Sequence, residues 1–258
     1  MSTSITRTTM KLFVLVAALA LGACVIVPSS YETQAFGKSK KFAVVSVAAT
    51  PEISSGSGTG SGIGFTLSGL VKAASDESGY SNDADKILAD TAPLILKELG
   101  NYRHYTLVPA KTVLAHKAYR TAEAEDTSMT LGFGKKWLVA PGYKYFKSED
   151  KLGRLARELN VDAVMVVNVN YSAGFTGAQV GGIISGGVHN GKAMVTVYAV
   201  NRDGRVIWKD GGDASSENSI GGVGESVNFT RLHPLLVEAT RSATKKLMEK
   251  MGSKIASL

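Results

Sequence analysis

The chain has 258 residues, 29 of them Lys or Arg against 22 Asp or Glu, with four His, one Cys and 28 Gly. At 44% hydrophobic and 20% charged it can bury the core of one domain or two small ones, which excludes wholesale disorder and a collagen-like chain. A single cysteine excludes an intramolecular disulfide and, beside four scattered histidines, a Cys-rich zinc site.

Arg7 and Lys11 precede an unbroken apolar run, Leu12 to Leu21, followed by small residues. This is the layout of a secretory signal peptide, and the apolar stretch ends at Pro28, short of the roughly 18 residues a spanning helix needs. Its end, Leu21-Gly22-Ala23-Cys24, resembles the lipobox of bacterial lipoproteins, in which the cysteine thiol receives a diacylglyceryl group before cleavage. The resemblance implies a signal peptide over 1–23, lipidation at Cys24, and a mature chain with 27 basic against 22 acidic residues, hence a formal charge of +5. More than one acyl chain gives stable anchoring. Val25, where inner-membrane retention typically uses Asp, implies the outer membrane, with the folded part facing the periplasm. Residues 24–40 then read as the lipidated cysteine and a polar tether, and 41–258 as the α/β domain.

Phe42 to Ala48 is a continuous β-branched apolar run, as expected of a strand buried on both faces. Pro51 ends it, and the Gly/Ser tract at 54–64 reads as a flexible loop. A helix is expected from Asn82 or Asp83 to Gly100, with Ile87, Leu88, Ile95 and Leu99 on one stripe and Pro93 as a kink. His104 to Val108 reads as a strand and Ala110 to Tyr119 as a helix. Glu149 and Asp150 open another helix that Asn160 stops. Ala163 to Val169 and Ala193 to Val200 are expected strands, the second turning through Asn201-Arg202-Asp203-Gly204 into Arg205 to Trp208. Between them, 174–191 reads as a second Gly-rich loop. His233-Pro234 opens a final helix with Leu236, Ala239, Ala243, Leu247 and Met251 on its apolar stripe and Lys245, Lys246, Lys250 and Lys254 crowding its C-terminal half. The order predicts an α/β (α+β) fold: a mixed sheet of about five strands flanked by amphipathic helices.

The runs KKFAVVSV, HYTLVPA, RELNVDAVMVVNV and DGRVIW, in that order with an amphipathic helix after the first, resemble the domain shared by three groups of envelope proteins. These are the curli secretion lipoprotein, the lipoprotein activators of peptidoglycan synthases and the N-terminal domain of TolB. The resemblance covers most of residues 41–251 and implies partner binding or ring assembly without a catalytic residue. The Gly/Ser tract and the stretch 172–191 depart from it, and no functional residue of those groups carries over.

Motifs for chemistry are incomplete. Gly186 to Lys192 fits the first seven positions of a phosphate-binding loop, but Ala193 stands where the magnesium-binding hydroxyl belongs and a strand follows where a helix is needed. Gly37-Lys38-Ser39 has only the end of that motif. The glycines at 56–64 never give the dinucleotide fingerprint. No serine sits in G-x-S-x-G, and His104, His116, His189 and His233 are too dispersed for a zinc-protease motif. Asp162 at a helix-to-strand junction and Asp203 in a turn read as structural. Lys135, Lys136, Trp137, Tyr143, Lys144, Tyr145, Phe146 and Lys147 interleave cations with aromatics. That pattern suits stacking on bases in a cytosolic protein, which the signal peptide argues against, or anionic headgroups, glycan or an acidic partner, or a loop packed on the sheet.

No cofactor, metal or nucleic acid is expected. The expected partners are the outer membrane, through acyl chains on Cys24, and an envelope protein or a second copy of the chain. The leading reading is a noncatalytic scaffold or adaptor in a cell-envelope assembly. The alternative is a subunit of an oligomeric outer-membrane secretion pore of the curli-exporter type, with 172–191 and 211–230 in the places of its membrane hairpins.

Overall fold

The apolar run after the polar segment becomes an interior strand of a mixed sheet, next to its edge. The computed structural model describes residues 30–57, 81–128, 135–180, 183–222 and 229–256. The expected signal peptide over 1–23 and Cys24 lie outside the described residues. The strands are β1 Ser30–Tyr31, β2 Lys41–Ala49, β3 Ser54–Ser57, β4 Thr106–Leu107, β5 Leu138–Val139, β6 Ala163–Val180, β7 Ile183–Asn201, β8 Val206–Ser215 and β9 Ile220–Gly222. The helices are α1 Thr33–Lys38, α2 Ser81–Gly100, α3 Ala110–Ala115, α4 Lys117–Thr121, α5 Glu149–Glu158 and α6 Phe229–Ala256.

Across the sheet the order is β1-β8-β7-β6-β2-β4. β3 pairs with β6 beyond the end of β2, β9 pairs with β7 beyond β8, and β5 pairs with the far end of β2. β2 runs parallel to β6, while β6, β7 and β8 are successive antiparallel neighbours. The fold class is therefore the mixed α/β sheet that the alternation of elements predicts.

Every residue of β2 from Phe42 to Ala49 is buried, because both faces are covered. Phe42, Val44, Val47 and Ala49 join the core beneath α2 and α6. Ala43 and Val45 join a second core beneath α3, α4 and α5. A register shift between Val44 and Ser46 keeps the apolar side chains in phase with both layers. A fully buried Val, Leu or Ile is worth about 1.5–3 kcal/mol relative to exposure, so this strand anchors the molecule.

α6 carries the predicted stripe: Leu236, Ala239, Ala243, Leu247 and Met251 are all fully buried. It lies close on the sheet because two glycines sit under it. A Cβ at Gly191 would stand 2.6 Å from the Leu235 carbonyl carbon, and one at Gly212 only 2.2 Å from the Ala243 oxygen. α6 begins at Phe229, earlier than expected, so Pro234 lies inside the helix.

Four expectations are corrected. The tether does not extend to residue 40: β1 pairs with β8, and α1 places Phe36 in the core at 5.4 Å from the Phe42 ring and 5.6 Å from Trp208. The loop at 54–64 begins as β3, its remainder from 58 lying outside the described residues. The loop at 174–191 is instead the outer part of β6 and β7, apart from 181–182 outside the described residues. The helix expected over 110–119 is two short ones, broken at His116, whose Nδ1 accepts from the Ala118 amide (3.2 Å) and caps α4.

Candidate functional surface on the long hairpin

β6 and β7, with 18 and 19 residues, are far longer than an ordinary strand. Their inner halves are the sheet's core, where Val164 to Val169 and Val195 to Val200 pair under the helices. Their outer halves continue the ladder from Ser172↔Lys192 to Val180↔Ile183. Small residues make this outer ribbon possible. Phe175 stands opposite His189, ring centres 4.7 Å apart, and its ring lies over Gly187, where a Cβ would meet it at 2.5 Å. β3 flanks β6 at Ser172 to Phe175 and β9 flanks β7 at Gly187 to His189, so the ribbon is four strands wide at its root. Ser216 ties it down, its Oγ accepting from the Gly191 amide (3.0 Å) and its amide donating to the Gly191 carbonyl (2.8 Å).

The two faces of this region differ. One meets the start of α6 and buries Tyr171, Ala173 and His189. His189 Nε2 is shielded there without a hydrogen-bond partner. The other presents Asn168, Asn170, Ser172, Lys192, Met194 and Thr196, all half-buried or exposed. Asn170 is held by the Thr50 hydroxyl (3.1 Å), and Asn168 Oδ1 has no partner. Val188, at 43% exposure, is the large apolar side chain most open to solvent among the described residues. This face thus carries amides, hydroxyls, one lysine and the Met194 thioether.

The segment resembling a phosphate loop lies in β7, where its backbone pairs with β6 in extended form and leaves no cradle. Gly37-Lys38-Ser39 ends α1. The cation–aromatic segment is structural. Lys144 Nζ donates to the carbonyls of Tyr119 (3.1 Å), Arg120 (2.8 Å) and Ala122 (2.6 Å), capping α4. Lys135 pairs with Glu52, and Trp137 stacks on Tyr145 at 6.1 Å. Asp162 accepts from the amides of Lys40 (2.8 Å) and Lys41 (2.9 Å), locking the entry to β2 against β6. Asp203 sits in the turn where Asn201 Oδ1 accepts from the Asp203 (3.0 Å) and Arg205 (2.9 Å) amides.

The histidines stay apart. His104 lies against Tyr102, His116 caps α4, His189 is in the ribbon, and His233 Nε2 stands 3.0 Å from Asp90 Oδ2. Among the described residues no three His, Cys, Asp or Glu side chains gather as a metal site, and no helix is long and apolar enough to cross a membrane. Open clefts lie among the described residues. One of about 260 Å³ lies between the end of α4 and α5, beside Glu123, Lys151, Arg154 and Glu158, and one of about 290 Å³ lies between α2 and the β4–α3 connection.

No family model matches the chain, and no curated protein matches it. Solved structures similar to it include the LpoB C-terminal domain from Salmonella enterica, with 13% identity over 68% of this chain and 82% of that one at a TM-score of 0.26. The hypothetical protein CT253 from Chlamydia trachomatis shows 11% identity over 84% and 94% at 0.29. The lipoprotein GNA1162 from Neisseria meningitidis shows 15% over 85% and 99% at 0.25.

Proposed function

We propose that this chain is a lipid-anchored protein of the bacterial cell envelope, held in the outer membrane through acyl chains on Cys24. Its periplasmic domain acts as a noncatalytic scaffold that binds an envelope partner or a second copy of itself. The single observation that supports the scaffold reading is the outer ribbon of β6 and β7, a ladder rich in small residues carried beyond the two helix-covered cores. The lipobox-like Leu21-Gly22-Ala23-Cys24 supports the anchor.

Two experiments test this. Cys24→Ser removes the thiol, so metabolic acyl labelling disappears and the chain stays unprocessed or is released; unchanged labelling and fractionation refute the anchor. Replacing residues 176–187 by a short turn removes the free part of the ribbon while keeping Gly191 under α6. Normal thermal melting with loss of the protein's in-cell crosslinked adducts supports the scaffold, and an unaltered adduct pattern refutes it.

The length of the ribbon favours a second reading. Residues 172–180 and 183–191 supply nine each, and a membrane-spanning strand needs about 9 to 11. In an oligomeric pore these hairpins would close a barrel. Light scattering of the detergent-solubilised full chain separates the two: a large ring favours the pore, a monomer or dimer the scaffold.

A further inference from the structure

The sequence crowds lysines into the C-terminal half of α6, and the fold places one flank of that helix beside the point where the chain leaves for the proposed anchor. Lys246, Lys250 and Lys254 follow one another at four-residue spacing, on one side of the helix. Lys250 Nζ donates to the Gly211 carbonyl (2.9 Å), and Lys254 Nζ lies 3.9 Å from Asp210 Oδ2. Both contacts hold this flank over the outer edge of β8. That edge is also where β1 pairs, Ser30 opposite Lys209 and Tyr31 opposite Trp208. β1 is antiparallel to β8, so Ser30, its N-terminal residue, stands opposite Lys209, next in β8 to Asp210 and Gly211, which the lysines touch.

Cys24 precedes Ser30 by six residues, a reach of about 20 Å even when fully extended. An anchor at Cys24 therefore keeps the surface around Ser30 within about 20 Å of the bilayer. Lys246 and Lys250 are exposed on this flank and Lys209 is half-buried on β8, while Arg241 and Lys245 are exposed on the outward face of the same helix, against the exposed acids Glu249 and Asp213. We propose that this flank of α6 docks on anionic lipid headgroups, adding an electrostatic contact to the acyl anchor. The inference rests on the lipid-anchor reading above. Such a contact fades within a Debye length and is screened by salt, so it acts only because the six-residue connection holds the helix near the surface.

The test uses the full acylated protein in vesicles of phosphatidylcholine alone or with a third of phosphatidylglycerol, read by amine-reactive labelling and mass spectrometry. Labelling of Lys245, Lys246 and Lys250 is expected to fall severalfold on the anionic vesicles and to recover at high salt. Lys111 and Lys117, on α3 and α4 across the sheet, are expected to label equally on both. The exposed substitutions Arg241→Glu, Lys245→Glu and Lys246→Glu together should abolish the protection of Lys250. Equal labelling of these lysines on both vesicle types, with the protein floating on both, overturns the proposal while leaving the anchor intact. Failure to float on phosphatidylcholine overturns the anchor and the proposal with it.

Discussion

The phenol of Tyr119 donates to the Val45 carbonyl (3.1 Å) and accepts from the Lys144 amide (2.7 Å), so one buried side chain joins α4 to β2 and to the loop that crosses it. Tyr119→Phe keeps the ring and leaves both backbone groups without their partner. A stability loss of about 1–3 kcal/mol is expected, read by urea denaturation. Seven of the nine tyrosines have phenols pushed above their ordinary pKa, chiefly by burial: Tyr102, Tyr105, Tyr119, Tyr143, Tyr145, Tyr171 and Tyr198. Tyr143 reaches about 12. A pKa raised by folding means that the neutral phenol favours the folded state. That contribution is fully present below the unfolded value near 10 and is lost as pH rises through the folded one. As far as these phenols set it, the melting temperature should hold level from neutral pH to about pH 9 and fall above about pH 10. An alkaline titration at 295 nm in which all nine phenols ionise together near pH 10 would contradict this.

α6 shows how closely an element can be placed when the residues beneath it are small. Gly212→Ala inserts a methyl where the Ala243 carbonyl already stands, so the helix must lift from β8, and a loss of about 1–3 kcal/mol is expected by thermal denaturation. Ending the chain after Leu232 removes Leu235, Leu236, Leu247 and Met251 from the core and uncovers β7 and β8. The product should bind a hydrophobic dye and lose its cooperative melt; a cooperative melt at the full chain's temperature would mean that the helix lies outside the core. The outer ribbon obeys the opposite economy. Its glycines are poor strand formers, yet they provide clearance for the Phe175 ring and the α6 backbone, which is why a stretch with loop composition forms a ladder.

At the scale of the molecule, what was legible in the sequence was whatever a local pattern dictates. β2 follows from its β-branched run, α6 from its stripe, and the end of α5 from Asn160, which adopts φ +52° after the last helical residue. The turn at Asn201 to Arg205 follows from its Asx chemistry. β3 was not legible, since Ser and Gly carry no strand signal, and β1 and β9, two and three residues long, are too short to show a period; a neighbouring strand supplies their order. The candidate surface was hidden for the same reason. One further consequence lies in the pairing of β2 with β6, which sets Phe42 beside Ala163 and so joins segments 121 positions apart in the chain. Until the second of them has been made, β2 lacks its inner neighbour, and the sheet cannot close. Folding of such a topology is slow because a long loop must be ordered before its contacts form. A nascent chain of this protein therefore stays threadable until more than half of it has emerged, the state in which a polypeptide can pass a translocation channel before its structure locks.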